Sequence, residues 1–196
     1  MEPREVLPLL DDGSTAAALR ETGLPERLQG VNLLRTALHQ PRVGKVIGDA
    51  IDALVLNGVL DARIRETAIL RVGWRIGAAY EWGNHYPLAR RVGLTDDEIT
   101  AVRSEHAAER AELSPAQRCA VRVVDEVLDH VSATPTTLAE AHRLIGDGGA
   151  LLELVMIPAC YRAIGTLLLT FDVPLEDGVA PWPPDGQAPA KSRDSV

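Results

Sequence analysis

Between Pro41 and Asn57 the apolar residues Val43, Val46, Ile47, Ala50, Ile51, Leu54 and Val55 recur at intervals of three and four, the spacing that lines one face of a helix. Gly58 supplies a stop. Asp61 then offers a cap for a helix through "ARIRETAILRVGWRIG", and Thr95 with Glu98 forms a capping-box pattern ahead of a helix over residues 96–109. Ser114, Pro115 and Gln117 give a cap, a first-turn proline and a box partner. Behind them Ala116, Cys119, Ala120, Val123, Val127 and Val131 form an apolar stripe. Thr134 and Pro135 open the next helix, which Gly146 closes. The last long helix runs from Gly148 to Phe171. It is apolar enough to raise the question of a membrane span, but Glu153 and Arg162 within it would be costly in lipid. A buried central helix or one at a subunit interface is the expected use, with a kink at Pro158, which lacks a backbone donor. Nothing alternates with period two for long enough to predict a strand, so the fold class is all-α, a helical bundle with a kinked long C-terminal helix.

The pattern fades at the C-terminal end. Five of the thirteen prolines fall in the final 23 residues, which finish on "GQAPAKSRDSV". Residues 176–196 are therefore read as a Pro-rich, partly disordered tail, with Trp182 anchoring its first part. At 196 residues the chain suits one well-buried core. Aromatic residues make up only 4%, so Ala, Leu and Val must fill most of that core, as suits closely packed helices.

A net charge of −8 gives no electrostatic reason to bind nucleic acid or an anionic membrane, and neither partner is expected. The start "MEPREVLPLLDDG" carries acidic residues and no long apolar run, which does not read as a secretory signal and points to the cytoplasm. Cys119 and Cys160 have neither metal-ligand nor C-x-x-C spacing and read as small core residues. No G-x-S-x-G, Walker loop or G-x-G-x-x-G occurs, so no cofactor is expected.

The chemistry gathers in "AAYEWGNHYP", residues 78–87, where Tyr80, Trp82 and Tyr86 stand close behind Trp74. Glu81 and His85, four apart, share one helix face. A carboxylate beside an imidazole favours its charged form and fixes the ring tautomer, while aromatic walls exclude water. On an exposed surface the same pair would contribute only a few tenths of a kcal/mol, and aromatics at this spacing commonly fill cores. Glu66 is the second carboxylate of interest. Paired with Arg63 it is structural; facing inward, its pKa rises toward a value useful for proton transfer. Gly73 and Gly77 allow close approach of another backbone or a substrate, and Gly77 can end the helix so that Ala78 starts a new one. His39, His106, His130 and His142 are scattered among polar neighbours and read as surface residues. Glu81 and His85 alone are too few ligands for zinc, so no metal is expected.

The stretch "RIRETAILRVGWRIGAAYEWGNHYPLARRVGLTDDEI" resembles the carboxymuconolactone decarboxylase and alkylhydroperoxidase D family over residues 61–103, with a looser likeness in "YRAIGTLLLTFDVPLEDG". The resemblance implies a helical bundle of the alkylhydroperoxidase D-like type over residues 30–175, an N-terminal extension over 1–29, and assembly into a homo-oligomer (dimer, trimer or hexamer). Peroxidase members carry C-x-x-C-x-x-x-H. Here the cysteine positions are Ala78 and Glu81, His85 stands at the histidine, and Glu66 matches the glutamate of the proton relay. Without thiols at those positions, sulfur-based peroxidase chemistry is not expected.

Decarboxylase members work without metal or organic cofactor. By that resemblance the chain is expected to be a lyase-like acid/base enzyme, catalysing decarboxylation or a related proton transfer on a small organic acid or lactone. His85 is the expected acid, Glu81 orients it, and Glu66 relays a proton. Tyr80, Trp82, Asn84 and Tyr161 shape the pocket, and Arg71 or Arg162 holds a substrate carboxylate. A non-catalytic oligomeric binding or scaffold protein is the alternative, and a peroxidase-like activity comes third.

Overall fold

Caps in the sequence set most helix boundaries. The computed structural model describes residues 3–190, and its first helices are α1 (Pro3–Val6), α2 (Asp12–Thr22), α3 (Asn32–Ala37) and α4 (Pro41–Ile51). Asp11 caps α2 by accepting from the Ser14 N–H, and Gln40 accepts from the Arg42 N–H ahead of Pro41. The helix expected as far as Asn57 changes its period at Asp52–Leu56, which forms a π-helical turn. Two bonds hold it: Asn57 N–H donates to the Asp52 carbonyl at 2.8 Å, and Asn57 Nδ2 to Asp52 Oδ1 at 2.9 Å.

The next pair of helices carries the chemistry. In α5 (Ala62–Ile76), Asp61 accepts from the Arg63 and Ile64 N–H groups, and Gly77 at φ 71° closes the helix in the left-handed region. After that turn α6 (Ala79–Arg91) starts afresh. Thr95 and Glu98 complete the expected capping box of α7 (Asp96–Ala101). The helix expected to reach residue 109 stops short, because the carbonyls of Val102 and Ser104 accept from Arg71 Nη1 at 2.7 Å each. Then follow α8 (Pro115–His130), with its Ser114–Gln117 box, α9 (Pro135–Leu144) and α10 (Gly148–Thr170). No strand occurs among the described residues.

α5 sits at the centre, against α6, α8 and α10. Ile64, Ala68, Ile69 and Val72 of α5 meet Cys119, Val123 and Val127 of α8 and Leu154 and Ile157 of α10 in the largest core cluster. Each aliphatic side chain of Leu or Ile size buried there stabilises the fold by about 1.5–3 kcal/mol. Glycine permits close approaches to and from α5. A Cβ at Gly73 would lie 3.3 Å from Trp82 N, and one at Gly165 would lie 2.3 Å from Ile76 Cδ1.

α10 is long and apolar enough to cross a membrane, yet its Leu154, Ile157, Tyr161, Ile164 and Leu168 are buried within the bundle. Its charges have local partners. Glu153 accepts from the Val59 and Leu60 N–H groups, and Arg162 donates to the Leu128 carbonyl. Pro158 lies on the buried side of a helix that stays continuous through it.

Both ends of the chain, where an extension and a tail are expected, pack against the bundle. Ala18, Leu19, Leu24 and Leu28 form a cluster with Leu34 and Leu38, so the N-terminal segment is integral to the bundle. Residues 176–190, the described part of the expected tail, are held down. Trp182 is 3% exposed and packs edge-on against Trp74 at 5.8 Å. Trp82 Nε1 and Arg103 Nη2 donate to the Pro183 carbonyl, and Arg103 Nη1 to Asp185 Oδ1. The remaining part of the predicted tail, 191–196, lies outside the described residues.

Candidate active site

The turn at Gly77 folds α6 back along α5 and brings Glu66 against His85, 19 residues away. His85 Nδ1 lies 2.8 Å from Glu66 Oε2. Glu66 is fully buried, and its Oε1 accepts from Arg65 Nε at 3.0 Å. An ionised carboxylate only accepts, so Nδ1 carries the proton in this pair. Nε2, on the other side of the ring, faces the Tyr161 hydroxyl of α10 at 3.2 Å and Glu81 Oε2 at 3.8 Å. The first contact is a hydrogen bond; the second is an electrostatic approach. Glu81 Oε1 is buried and has no hydrogen-bond partner. That is an expensive state for a carboxylate unless a guest or a proton satisfies it.

Burial disfavours the charge on each of these groups, and pairing decides which way each pKa moves. Burial pushes Glu66 up, but the charge and hydrogen bond of His85, helped by Arg65, outweigh it and hold the carboxyl below its usual range. For His85 burial acts downward, and Glu66 with Glu81 more than reverses it. Glu81 has no such hydrogen bond. Burial raises it, His85 offsets part of the rise, Glu176 adds to it, and the carboxyl is pushed up to about 7. The Tyr161 hydroxyl is pushed well up by burial and by the two glutamates, so it stays protonated as a donor.

Glu81, His85 and Tyr161 face a cavity of about 320 Å³. One side is apolar, built from Leu28, Val31 and Leu33, the helical turn bearing Ile51, Val55 and Leu56, and Leu88 and Ile164. The polar side adds Tyr80, Asn84 and Glu176. Glu176 Oε1 accepts from Asn32 N at 2.9 Å and from the Tyr80 hydroxyl, while Oε2 accepts from Asn84 Nδ2 at 2.8 Å. Six of the nine residues singled out in the sequence thus gather here: Glu66, Glu81, His85, Tyr80, Asn84 and Tyr161, with Glu66 one layer behind the wall.

Trp82 and Arg71 do not join them, and their expected roles are corrected. The Trp82 ring turns away from the cavity and stacks near Trp74 and Trp182, with the Arg103 guanidinium 4.8 Å from its centroid. Arg71 is 2% exposed and makes a two-pronged pair with Asp125, both bonds 2.8 Å, so its fork is already filled. Arg162 donates to the Leu128 carbonyl and does not line the cavity. Arg63, whose pairing with Glu66 is the structural alternative, pairs with Glu98 instead.

Two residues escaped the sequence reading. Arg65 adjoins Glu66 in the chain, but helical spacing directs attention to partners three or four away. Glu176 sits in a segment whose prolines read as a tail; its one signal is the acidic residue in "VPLEDG", next to the last helix.

Neither cysteine lines the cavity. Cys119 is fully buried, and burial pushes both thiols up, away from the thiolate that sulfur chemistry needs. His39, His106, His130 and His142 are all exposed, as expected. Among the described residues no group of three or more His, Cys, Asp and Glu side chains is arranged to hold a metal.

Comparison with known proteins adds two findings. Residues 41–126, which run from α4 into α8, match the carboxymuconolactone decarboxylase family. The fold is similar to the crystal structure of a cysteine-to-alanine variant of the debrominase Bmp8 in complex with 2,3,4-tribromopyrrole. That likeness has a TM-score of 0.67 and 16% identity, and covers 88% of this chain and 91% of the other. No curated protein matches this sequence significantly.

Proposed function

We propose, from the match of residues 41–126 to the carboxymuconolactone decarboxylase family, that the chain is a cofactor-independent acid/base enzyme that transfers a proton to or from a small ring compound. The observation that carries this reading is Glu81. Its carboxyl lines a largely apolar cavity, one of its oxygens has no protein partner, and its pKa lies at about 7. A group poised near the working pH is populated both as donor and as acceptor, the condition for general acid/base catalysis.

The neighbouring side chains have supporting parts. Glu66 holds His85 through Nδ1, so the ring presents Nε2 to Glu81 and Tyr161. When Glu81 gives its proton to a substrate carbon, the charge left on its carboxylate is stabilised by the imidazolium 3.8 Å away. In the reverse step Glu81 takes a proton from the substrate, and the Tyr161 hydroxyl can donate to the oxygen on which negative charge develops. A proton taken from one position of the ring and returned to another gives an isomerisation that consumes no co-reactant. This reading gives Glu81 the role that the sequence had suggested for His85, with His85 as its electrostatic partner. The small ring bound to the fold neighbour, and the apolar wall here, support a compact ligand of that kind.

Deuterium exchange tests the reading. With a panel of unsaturated butenolides and enolisable cyclic ketones in heavy water, the wild type should accelerate incorporation at an acidic C–H. Glu81→Gln should slow it by about 10²-fold or more, the usual contribution of a general acid or base. Full exchange by Glu81→Gln would remove the assignment. So would a panel compound that binds in the cavity and exchanges no faster than in buffer.

A further inference from the structure

Three carboxylates reach this cavity or stand directly behind its wall, and among the described residues no lysine or arginine lines it. The cations of this group, Arg65 and His85, are both bound to Glu66. Glu176 has no cation among its hydrogen-bond partners, which are Asn32 N, the Tyr80 hydroxyl and Asn84 Nδ2. With Glu66, Glu81 and Glu176 set against His85 and Arg65, the surroundings of a guest carry an excess negative charge whenever Glu81 is ionised.

We propose that the cavity selects uncharged small molecules bearing an N–H or O–H donor and rejects carboxylates, with Glu176 as the specificity-determining residue.

This deepens the acid/base reading and rests on it. Hydrogen-bond accounting specifies the donor. A carboxylate offers about four acceptor directions; Glu176 has three donors, which leaves one direction on Oε2 unfilled. Glu81 Oε1 is buried without any donor, although its side chain is 4% exposed. A guest with an amide, pyrrole or enol donor satisfies such an acceptor, whereas a guest carboxylate brings two more acceptors and a like charge into a low-dielectric space. The inference departs from the acid substrate that the family name denotes. It follows from Arg71 and Arg162 lying away from the cavity, so that no arginine fork is there to pair a carboxylate.

The position of Glu176 is built into the chain. A Cβ at Gly83 would lie 2.5 Å from the Ala180 carbonyl oxygen and 3.2 Å from Leu175 Cδ2, so the glycine in "EWGN" lets the segment after α10 cross α6. Glu176, on that crossing segment, then reaches Tyr80 and Asn84, one turn apart on α6.

Benzamide and benzoate are matched probes of ring size and shape, differing in charge and in the donor. In calorimetric titrations at about pH 8, where Glu81 is ionised by its pKa of about 7, benzamide should bind at least ten-fold more tightly than benzoate to the wild-type protein. In Glu176→Gln, checked for folding by its thermal transition, that ratio should fall to about three-fold or less. Equal affinities in the wild type, absence of binding by both included, overturn the proposal, as does an unchanged ratio in a folded Glu176→Gln. If that variant does not fold, the wild-type ratio decides alone. Selectivity without deuterium exchange would remove the proton-transfer reading and leave this one; exchange without selectivity would do the opposite.

Discussion

Glu66 and Glu81 are both buried glutamates within reach of one histidine, and their surroundings push them in opposite directions. The lowered pKa of Glu66 stabilises the fold above the ordinary carboxylate range, and that contribution is lost as pH falls through the lowered value. The raised pKa of His85 contributes fully below the ordinary imidazole range and is lost as pH rises through the raised value. The pair is therefore strongest between those limits. Glu81 behaves inversely. Its folded value of about 7 lies above the unfolded one, so ionising it costs the folded state increasingly as pH rises from the carboxylate range through about 7. Glu81→Gln removes that cost. Relative to wild type it should gain up to about 3 kcal/mol on going from about pH 5 to about pH 8. Urea unfolding of both proteins at the two pH values measures it, and a difference independent of pH would show that Glu81 does not carry the buried charge.

At the scale of elements, the site depends on two glycines that keep segments close. Gly77 ends α5 and reverses the chain, which is why Glu66 and His85 meet although they lie on different helices. Gly83 admits the segment from Leu175 to Ala180. Gly83→Ala places a methyl group against a backbone carbonyl rather than a yielding side chain, and it should cost about 1–3 kcal/mol. Chemical denaturation reads that loss, and hydrogen exchange should show reduced protection of the amides of α6 and of the crossing segment. Unchanged stability and protection would mean that the crossing is not held by this contact. The same elements show what a sequence discloses. Period and caps outline α5, α6, α8 and α10, because those signals are local, and Glu81 with His85 follows from their spacing of four. The orientation of Trp82 was not legible, since helical spacing alone does not distinguish the face toward the cavity from the face toward Trp74 and Trp182. Nor was Glu176. Its segment is held by the Pro183 carbonyl, Asp185 and a buried tryptophan, contacts that leave no periodic trace.

On the whole molecule, α10 presents a second apolar stripe opposite the one it buries. Leu152 is 64% exposed and Met156 is 40% exposed, and Ala159 and Ala163 continue the exposed line at helical spacing. Leu56 and the 70% exposed Val59 lie in the segment that Glu153 holds against the start of this helix. Large contiguous apolar patches are uncommon on monomers, and spacings of four, three and four are those of a helix–helix seam. The homo-oligomer expected from the family resemblance would use such a face. Because Leu56 also lines the cavity, association there would reach its rim. In sedimentation velocity at micromolar concentration the wild type should run larger than a single chain, and Leu152→Glu combined with Met156→Glu should reduce it to a monomer. Leu152 and Met156 are exposed, so the double variant should keep the helical content of the wild type and lose only its partner, within about 0.5 kcal/mol per site in monomer stability. A wild type that sediments as one chain, or a double variant that stays assembled, would place any self-association away from α10. If the seam closes the rim as the position of Leu56 indicates, the dissociated variant should also bind benzamide more weakly than the assembled protein, which ties the state of assembly to the chemistry of the cavity.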